Sequence, residues 1–152
     1  MTIQPTPPGG CLDGPRHLYA VRVYYEDTDL SGITYHANYL RWFERARSDL
    51  LRLLGIDQRA AIEAGEGAYA VSEINLRYLR PARLDDDVVI ETYCTDMRAA
   101  SCRMQQRASR EGEVLAEASL RVGFVAPDGR PRRQPEAWRE AFKQVLVQEG
   151  TA

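Results

Sequence analysis

Residues 38–54 read NYLRWFERARSDLLRLL. Tyr39, Trp42, Phe43, Ala46, Leu50, Leu53 and Leu54 recur at helical spacing, while Arg41, Arg45, Arg47, Asp49 and Arg52 fill the other side. The spacing predicts an amphipathic helix of about five turns, roughly 25 Å long. Gly55 stands where a C-terminal cap belongs. A helix with so aromatic an apolar face has to bury it against another layer.

The flanking sequence supplies that layer as a sheet. Tyr19–Tyr25 (YAVRVYY) is rich in β-branched and aromatic residues and predicts a first strand. Residues 57–64 predict a short second helix. Beyond it the period becomes two, with Ile74, Leu76 and Tyr78 alternating with Glu73, Asn75 and Arg77 until Pro81. Further strands are predicted over 87–97, 100–109 and 114–126. In the last, Val114, Ala116, Ala118, Leu120, Val122 and Phe124 share a face. The short linkers Arg98–Ala99 and Arg110–Glu113 predict antiparallel hairpins. PDGR at 127–130 is a turn signal. A final amphipathic helix is predicted over 135–147, with Trp138, Phe142, Val145 and Leu146 on its apolar face. The class is α+β, an antiparallel sheet curled around a central helix. Residues 1–16 are rich in Pro and Gly and predict a flexible tail, leaving one domain over 17–148.

Composition narrows the function. The chain has 152 residues, 44% hydrophobic and 28% charged, with a net charge of −2. That is one ordinary globule without the basic surface of a nucleic-acid binder. Of the 20 basic residues, Lys143 is the one lysine. Cys11, Cys94 and Cys102 form an odd, unpaired set that suits a reducing cytoplasm rather than a disulfide framework. With His17 and His36 as the two histidines, no metal centre is expected. The N-terminus lacks the pattern of a secretory signal, and no run reaches the length of a membrane span.

Polar and special residues concentrate in YYEDTDLSGITYHANY, residues 24–39. Glu26, Asp27 and Asp29 precede Ser31, Gly32, Tyr35 and His36, and then the helix opens. A helix N-terminus offers free N–H groups and the positive end of a dipole, which polarise a carbonyl. A carboxylate opposite supplies a nucleophile or general base. Taken singly, Asp and Ser before a helix also read as caps and turn formers, and Gly32 as a residue of positive φ.

The same run, with ERAR at 44–47, YLRPARLDDDVVIET at 78–92 and TDMRAAS at 95–101, closely resembles the hotdog-fold acyl-CoA thioesterases of the 4-hydroxybenzoyl-CoA thioesterase type. The nearest likeness is to the bacterial subgroup associated with the Tol-Pal envelope system. The resemblance covers about residues 18–145. It implies two protomers joined sheet edge to sheet edge, with dimers often paired into a homotetramer and active sites at the dimer interface. It places the catalytic carboxylate on Asp29 and the oxyanion donor on the His36 backbone N–H. The His36 side chain is implied to orient the loop or contact substrate. Gly32 lets the loop approach the thioester, Tyr35 and Tyr39 line the acyl or pantetheine region, and Asp27 holds the loop by hydrogen bonds. Arg98 and Ser101 are implied as nucleotide contacts at the hairpin, with Arg80 and Arg83 as weaker candidates. Leu30, bulkier than the small residues of the subgroup, reshapes the acyl pocket. The implied reaction is hydrolysis of a short- or medium-chain acyl-CoA in the cytoplasm. No cofactor is needed beyond the coenzyme A of the substrate, and acyl carrier protein is a plausible partner. Two other readings stand beside it. One is a hotdog dehydratase on acyl-carrier-protein thioesters, using His36 with Glu44. The other is a non-catalytic acyl-CoA-binding or envelope-assembly module, against which the intact Asp29 argues.

Overall fold

The computed structural model describes residues 2–148. Its six strands are β1 (Cys11–Asp13), β2 (Arg16–Arg22), β3 (Ala68–Tyr78), β4 (Asp87–Met97), β5 (Ser101–Arg110) and β6 (Glu113–Val125). They form one antiparallel sheet in the order β1-β2-β4-β5-β6-β3. Helix α1 (Asn38–Leu53) lies against the sheet, and α2 (Gln58–Glu63) and α3 (Glu136–Ala141) are short. This is the hotdog arrangement expected from the sequence, an α+β fold.

The core divides along α1. Trp42, Phe43 and Ala46 pack with Val21, Val23, Val88, Ile90 and Ala116 at the helix N-terminal half. Leu50, Leu51 and Leu54 pack with Met104, Leu120, Phe142 and Val145 at the other. The helix ends with Gly55 N–H bonded to Arg52 O at 3.1 Å and Ile56 N–H to Leu51 O at 2.9 Å, a Schellman closure. Assigning Leu53 to the apolar face was incorrect. Leu53 is 46% exposed while Leu51 is buried, because Phe142 and Val122 cover the Leu51 side. Arg47 and Asp49 on the polar side are partly buried. Arg47 donates to Gln106 Oε1 at 2.9 Å, and Asp49 accepts from buried His17 at 2.7 Å.

The C-terminal part of the expected flexible tail is ordered beside the Asp49 carboxylate. Residue 1 lies outside the described residues, but residues 11–16 are structured, with Cys11 paired to Leu18 in the β1–β2 hairpin. The Gly10 N–H reaches the same Asp49 Oδ2 at 2.9 Å. A Cβ on Gly10 would stand 2.3 Å from Leu18 O, so only glycine allows this approach. Backbone pairing and one shared carboxylate therefore outweigh the Pro/Gly composition.

The first strand ends at Arg22 rather than Tyr25 because Asp27 captures the Tyr24 N–H and starts a 3-10 turn over Tyr25–Asp27. Strand β3 starts earlier than expected, at Ala68, with an extra residue at Ser72. In β6 a bulge inserts Leu115, which points into the core alongside Ala116. The C-terminal helix is shorter than predicted. It passes into a 3-10 turn over Phe142–Val145, and Val147 N–H then bonds Cys94 O at 2.8 Å, drawing the chain onto β4.

Candidate active site

The loop between β2 and α1 is built around two carboxylates with opposite surroundings. Asp27 is buried. Its Oδ2 accepts the Tyr24 N–H at 2.8 Å and its Oδ1 the Asn38 side-chain amide at 2.7 Å. Its backbone carbonyl accepts the Tyr35 N–H at 2.8 Å. One residue thus joins the loop entrance, the loop exit and the first residue of α1.

Asp29, two positions on, is exposed. A tight turn presents it: Gly32 N–H bonds Asp29 O and Asp29 N–H bonds Ile33 O, each at 3.1 Å. Gly32 has φ 81° with nothing within 4 Å of an added Cβ, so its glycine is required by conformation and not by space. Asp29 Oδ1 accepts the Ser31 N–H at 2.8 Å and also the Ser31 hydroxyl. These two bonds hold the Asp29 carboxyl below the usual carboxylate range, with a smaller contribution from His36 and a small opposing effect of burial. Oδ2 has no hydrogen-bond partner among the described residues.

His36 precedes α1 by two residues. Its ring lies 4.6 Å from that of Tyr35, and its carbonyl accepts the Tyr78 hydroxyl at 2.6 Å. Its N–H has no partner among the described residues. The preceding carbonyl, of Tyr35, accepts the Asn38 N–H at 2.9 Å, which polarises the peptide carrying that free N–H. Ile33, Thr34, His36 and Tyr39 face Tyr78, Leu79, Arg80 and Pro81 across a groove of about 240 Å³. Thr34 N–H to Ala82 O at 2.8 Å fixes the two walls together. Tyr39 forms the buried floor. Its hydroxyl accepts the Ala82 N–H at 3.2 Å, and burial pushes its pKa up. Asp29 does not line the groove; its loop continues into one wall.

The remaining candidates lie elsewhere in the chain. Strand β4 starts at Asp87, beside the loop, and runs 11 residues to Met97, about 33 Å at roughly 3.3 Å per residue. Arg98 and Ser101 sit at its far end. Arg98 pairs with Asp96 at 2.9 Å, and Ser101 is buried with its carbonyl accepting the Arg98 N–H. One chain therefore does not bring them to Asp29. Arg80, ranked lower from sequence, is the arginine that lines the groove. Glu44 does not pair with His36. It accepts from Arg47 at 3.0 Å and Ser48 at 2.8 Å and faces a separate cavity with Leu51, Tyr69 and Met104.

Three contributors escaped the sequence reading: Ser31 as the Asp29 tether, Asn38 as the Asp27 partner, and Tyr78. The Asp-x-Ser spacing signals the first, since an aspartate commonly bonds the backbone two residues on. Nothing local signals Tyr78, which lies 42 residues from His36. Among the described residues no cluster of three or more His, Cys, Asp or Glu is placed to hold a metal ion, and no helix is long and apolar enough to cross a membrane.

The sequence profile of the Thioesterase superfamily matches residues 31–117. The chain is 41% identical over 128 residues to the acyl-CoA thioester hydrolase YbgC of Escherichia coli O6:H1, covering 83% of this chain and 95% of that protein. Among solved structures, a protein from Bartonella henselae described as a probable thioesterase is 32% identical with a TM-score of 0.75, covering 79% of this chain and 99% of that one. A Staphylococcus aureus protein in complex with CoA has a TM-score of 0.82 over 93% of this chain and 90% of that one; at 15% identity the likeness is one of fold.

Proposed function

This chain belongs to the thioesterase superfamily and is a thioester hydrolase; from that premise we propose that it cleaves acyl-CoA to free acid and coenzyme A, with Asp29 at the reacting carbon. The observation that carries this reading is the pairing of an exposed carboxylate, tethered through one oxygen by Ser31, with an unpartnered N–H at His36 on the same loop. Asp29 Oδ2 attacks the thioester carbonyl to give a mixed anhydride, or takes the proton of the water that attacks. Either way a C–O bond forms, the C–S bond breaks and the electron pair leaves on sulfur; on the anhydride route water then cleaves the anhydride, releasing the free acid and restoring the Asp29 carboxylate. The His36 N–H, at the positive end of α1, receives the developing oxyanion. The coenzyme A thiolate is a good leaving group and needs no strong acid. The His36 side chain, stacked beside Tyr35, orients the loop or contacts substrate, and Gly32 keeps the turn open to the thioester.

Acyl specificity is assigned to the groove over Tyr39 and beside Tyr35. Its lining of Ile33, Tyr39, Leu79 and Pro81 suits an apolar acyl group, and a short or medium chain is proposed on the resemblance. Arg98 and Ser101 reach the same substrate only from a second copy of the chain. We therefore propose a homodimer, or a homotetramer built from it. Its seam is assigned to β3, an 11-residue strand at one end of the sheet order. The unpaired cysteines support a cytoplasmic setting. A role in Tol-Pal-associated envelope maintenance, and acyl carrier protein as a partner, are proposed on the resemblance of the site segment. Thiol release from acyl-CoA thioesters of graded length tests the reaction and the chain preference together. A maximum at short or medium chains supports the reading, and no release from any of them contradicts it.

A further inference from the structure

We propose that Tyr78 is a positioning residue of this site: its hydroxyl clamps the His36 carbonyl and so aims the His36 N–H at the oxyanion. The inference rests on the assignment of that N–H as the oxyanion donor. The turn from Tyr35 to Asn38 is held by few bonds. Tyr35 N–H bonds Asp27 O at 2.8 Å, and Asn38 N–H bonds Tyr35 O at 2.9 Å. Between those two anchors, the His36 carbonyl is fixed by the Tyr78 hydroxyl, at 2.6 Å.

Tyr78 is well built for that task. It is the last residue of β3 and pairs with Ala116 of β6, so the clamp springs from the sheet rather than from a loop. Its ring meets the His36 ring edge-on at 6.2 Å and the buried Tyr39 ring at 5.5 Å, which limits its swing. Partial burial, with Tyr35 nearby, holds the phenol above its ordinary pKa, so it stays a donor through neutral and mildly alkaline pH. The bond is exposed, and water can satisfy the His36 carbonyl once the hydroxyl is gone. Losing it therefore costs the fold little and the aim of the N–H much more.

Tyr78→Phe keeps the ring and removes the clamp. The variant is compared with wild type and with Asp29→Asn by thiol release, by melting, and by binding of a ketone analogue of acyl-CoA that takes up the tetrahedral geometry. The expected result is a fall in kcat of about tenfold or more, with KM, free coenzyme A binding and Tm unchanged. The ketone analogue should bind correspondingly more weakly. An unchanged kcat beside an inactive Asp29→Asn overturns the role of Tyr78 while leaving the site assignment standing. A lowered Tm, or a raised KM at constant kcat, also overturns it, because a structural or ground-state role would do either. An Asp29→Asn variant as active as wild type overturns the site assignment, and the Tyr78 role with it.

Discussion

The Asn38 side-chain amide donates to Asp27 Oδ1 at 2.7 Å, and this buried bond ties the site loop to the first residue of α1. The other oxygen of Asp27 holds the Tyr24 N–H. Asp27→Ala strands both donors. A buried donor left unsatisfied costs about 1–3 kcal/mol, so for the two a loss of roughly 2–6 kcal/mol is expected. Chemical denaturation measures it. An unchanged denaturation midpoint would refute the clamp.

Ser31 is expected to set the acid limit of the reaction. Its two bonds to Asp29 hold that carboxyl below its ordinary range, so the ionised form persists as pH falls past the usual carboxylate pKa of about 3.9. Ser31→Ala removes the hydroxyl bond, raises the Asp29 pKa and moves the acid limb of kcat/KM to higher pH. A limb that stays in place, or moves down, contradicts the tether.

Gly32 adopts φ 81° in open surroundings. Gly32→Ala thus meets conformational strain alone, about 1–2 kcal/mol. Most of that strain is expected in the loop, lowering kcat while the global Tm moves by a few degrees at most. A variant with wild-type kcat contradicts the placement of Asp29 by this turn.

Gly10 gives the opposite pattern. Its added methyl would stand 2.3 Å from Leu18 O and 2.7 Å from Asp49 Oδ2, displacing the N-terminal strand pair. Asp49 lies 11 residues along α1 from Asn38, about 16 Å from the site end. Gly10→Ala should lower stability by about 1–3 kcal/mol, the scale of overpacking, with kcat unchanged. Amide exchange at Cys11 and Asp13 should accelerate in the same variant, and unchanged exchange would show that the segment is held some other way.

These effects mark where sequence reading succeeds. α1 and β4 were legible because each carries its own period: 38–54 was expected against Asn38–Leu53, and 87–97 against Asp87–Met97. The candidate site was legible as a cluster because Asp27, Asp29, Gly32 and His36 lie within one short run. What was illegible depends on distant partners. Cys11–Asp13 of the tail became a strand beside the Gly10–Asp49 bond, Leu51 replaced Leu53 in the core through Phe142, and Tyr78 reached His36 from another strand. Arg98 belongs to the same group. Its hairpin is plain in the sequence, but its separation from Asp29 follows from the length and direction of β4.

The central claim is that Asp29 performs the chemistry, and Asp29→Asn tests it most directly, since the change keeps the volume and removes the charge. The measurement is thiol release from the best acyl-CoA substrate, with Tm recorded alongside. The account requires a fall in kcat of about a hundredfold or more with the fold intact. A well-folded Asp29→Asn variant that turns over at the wild-type rate would contradict it.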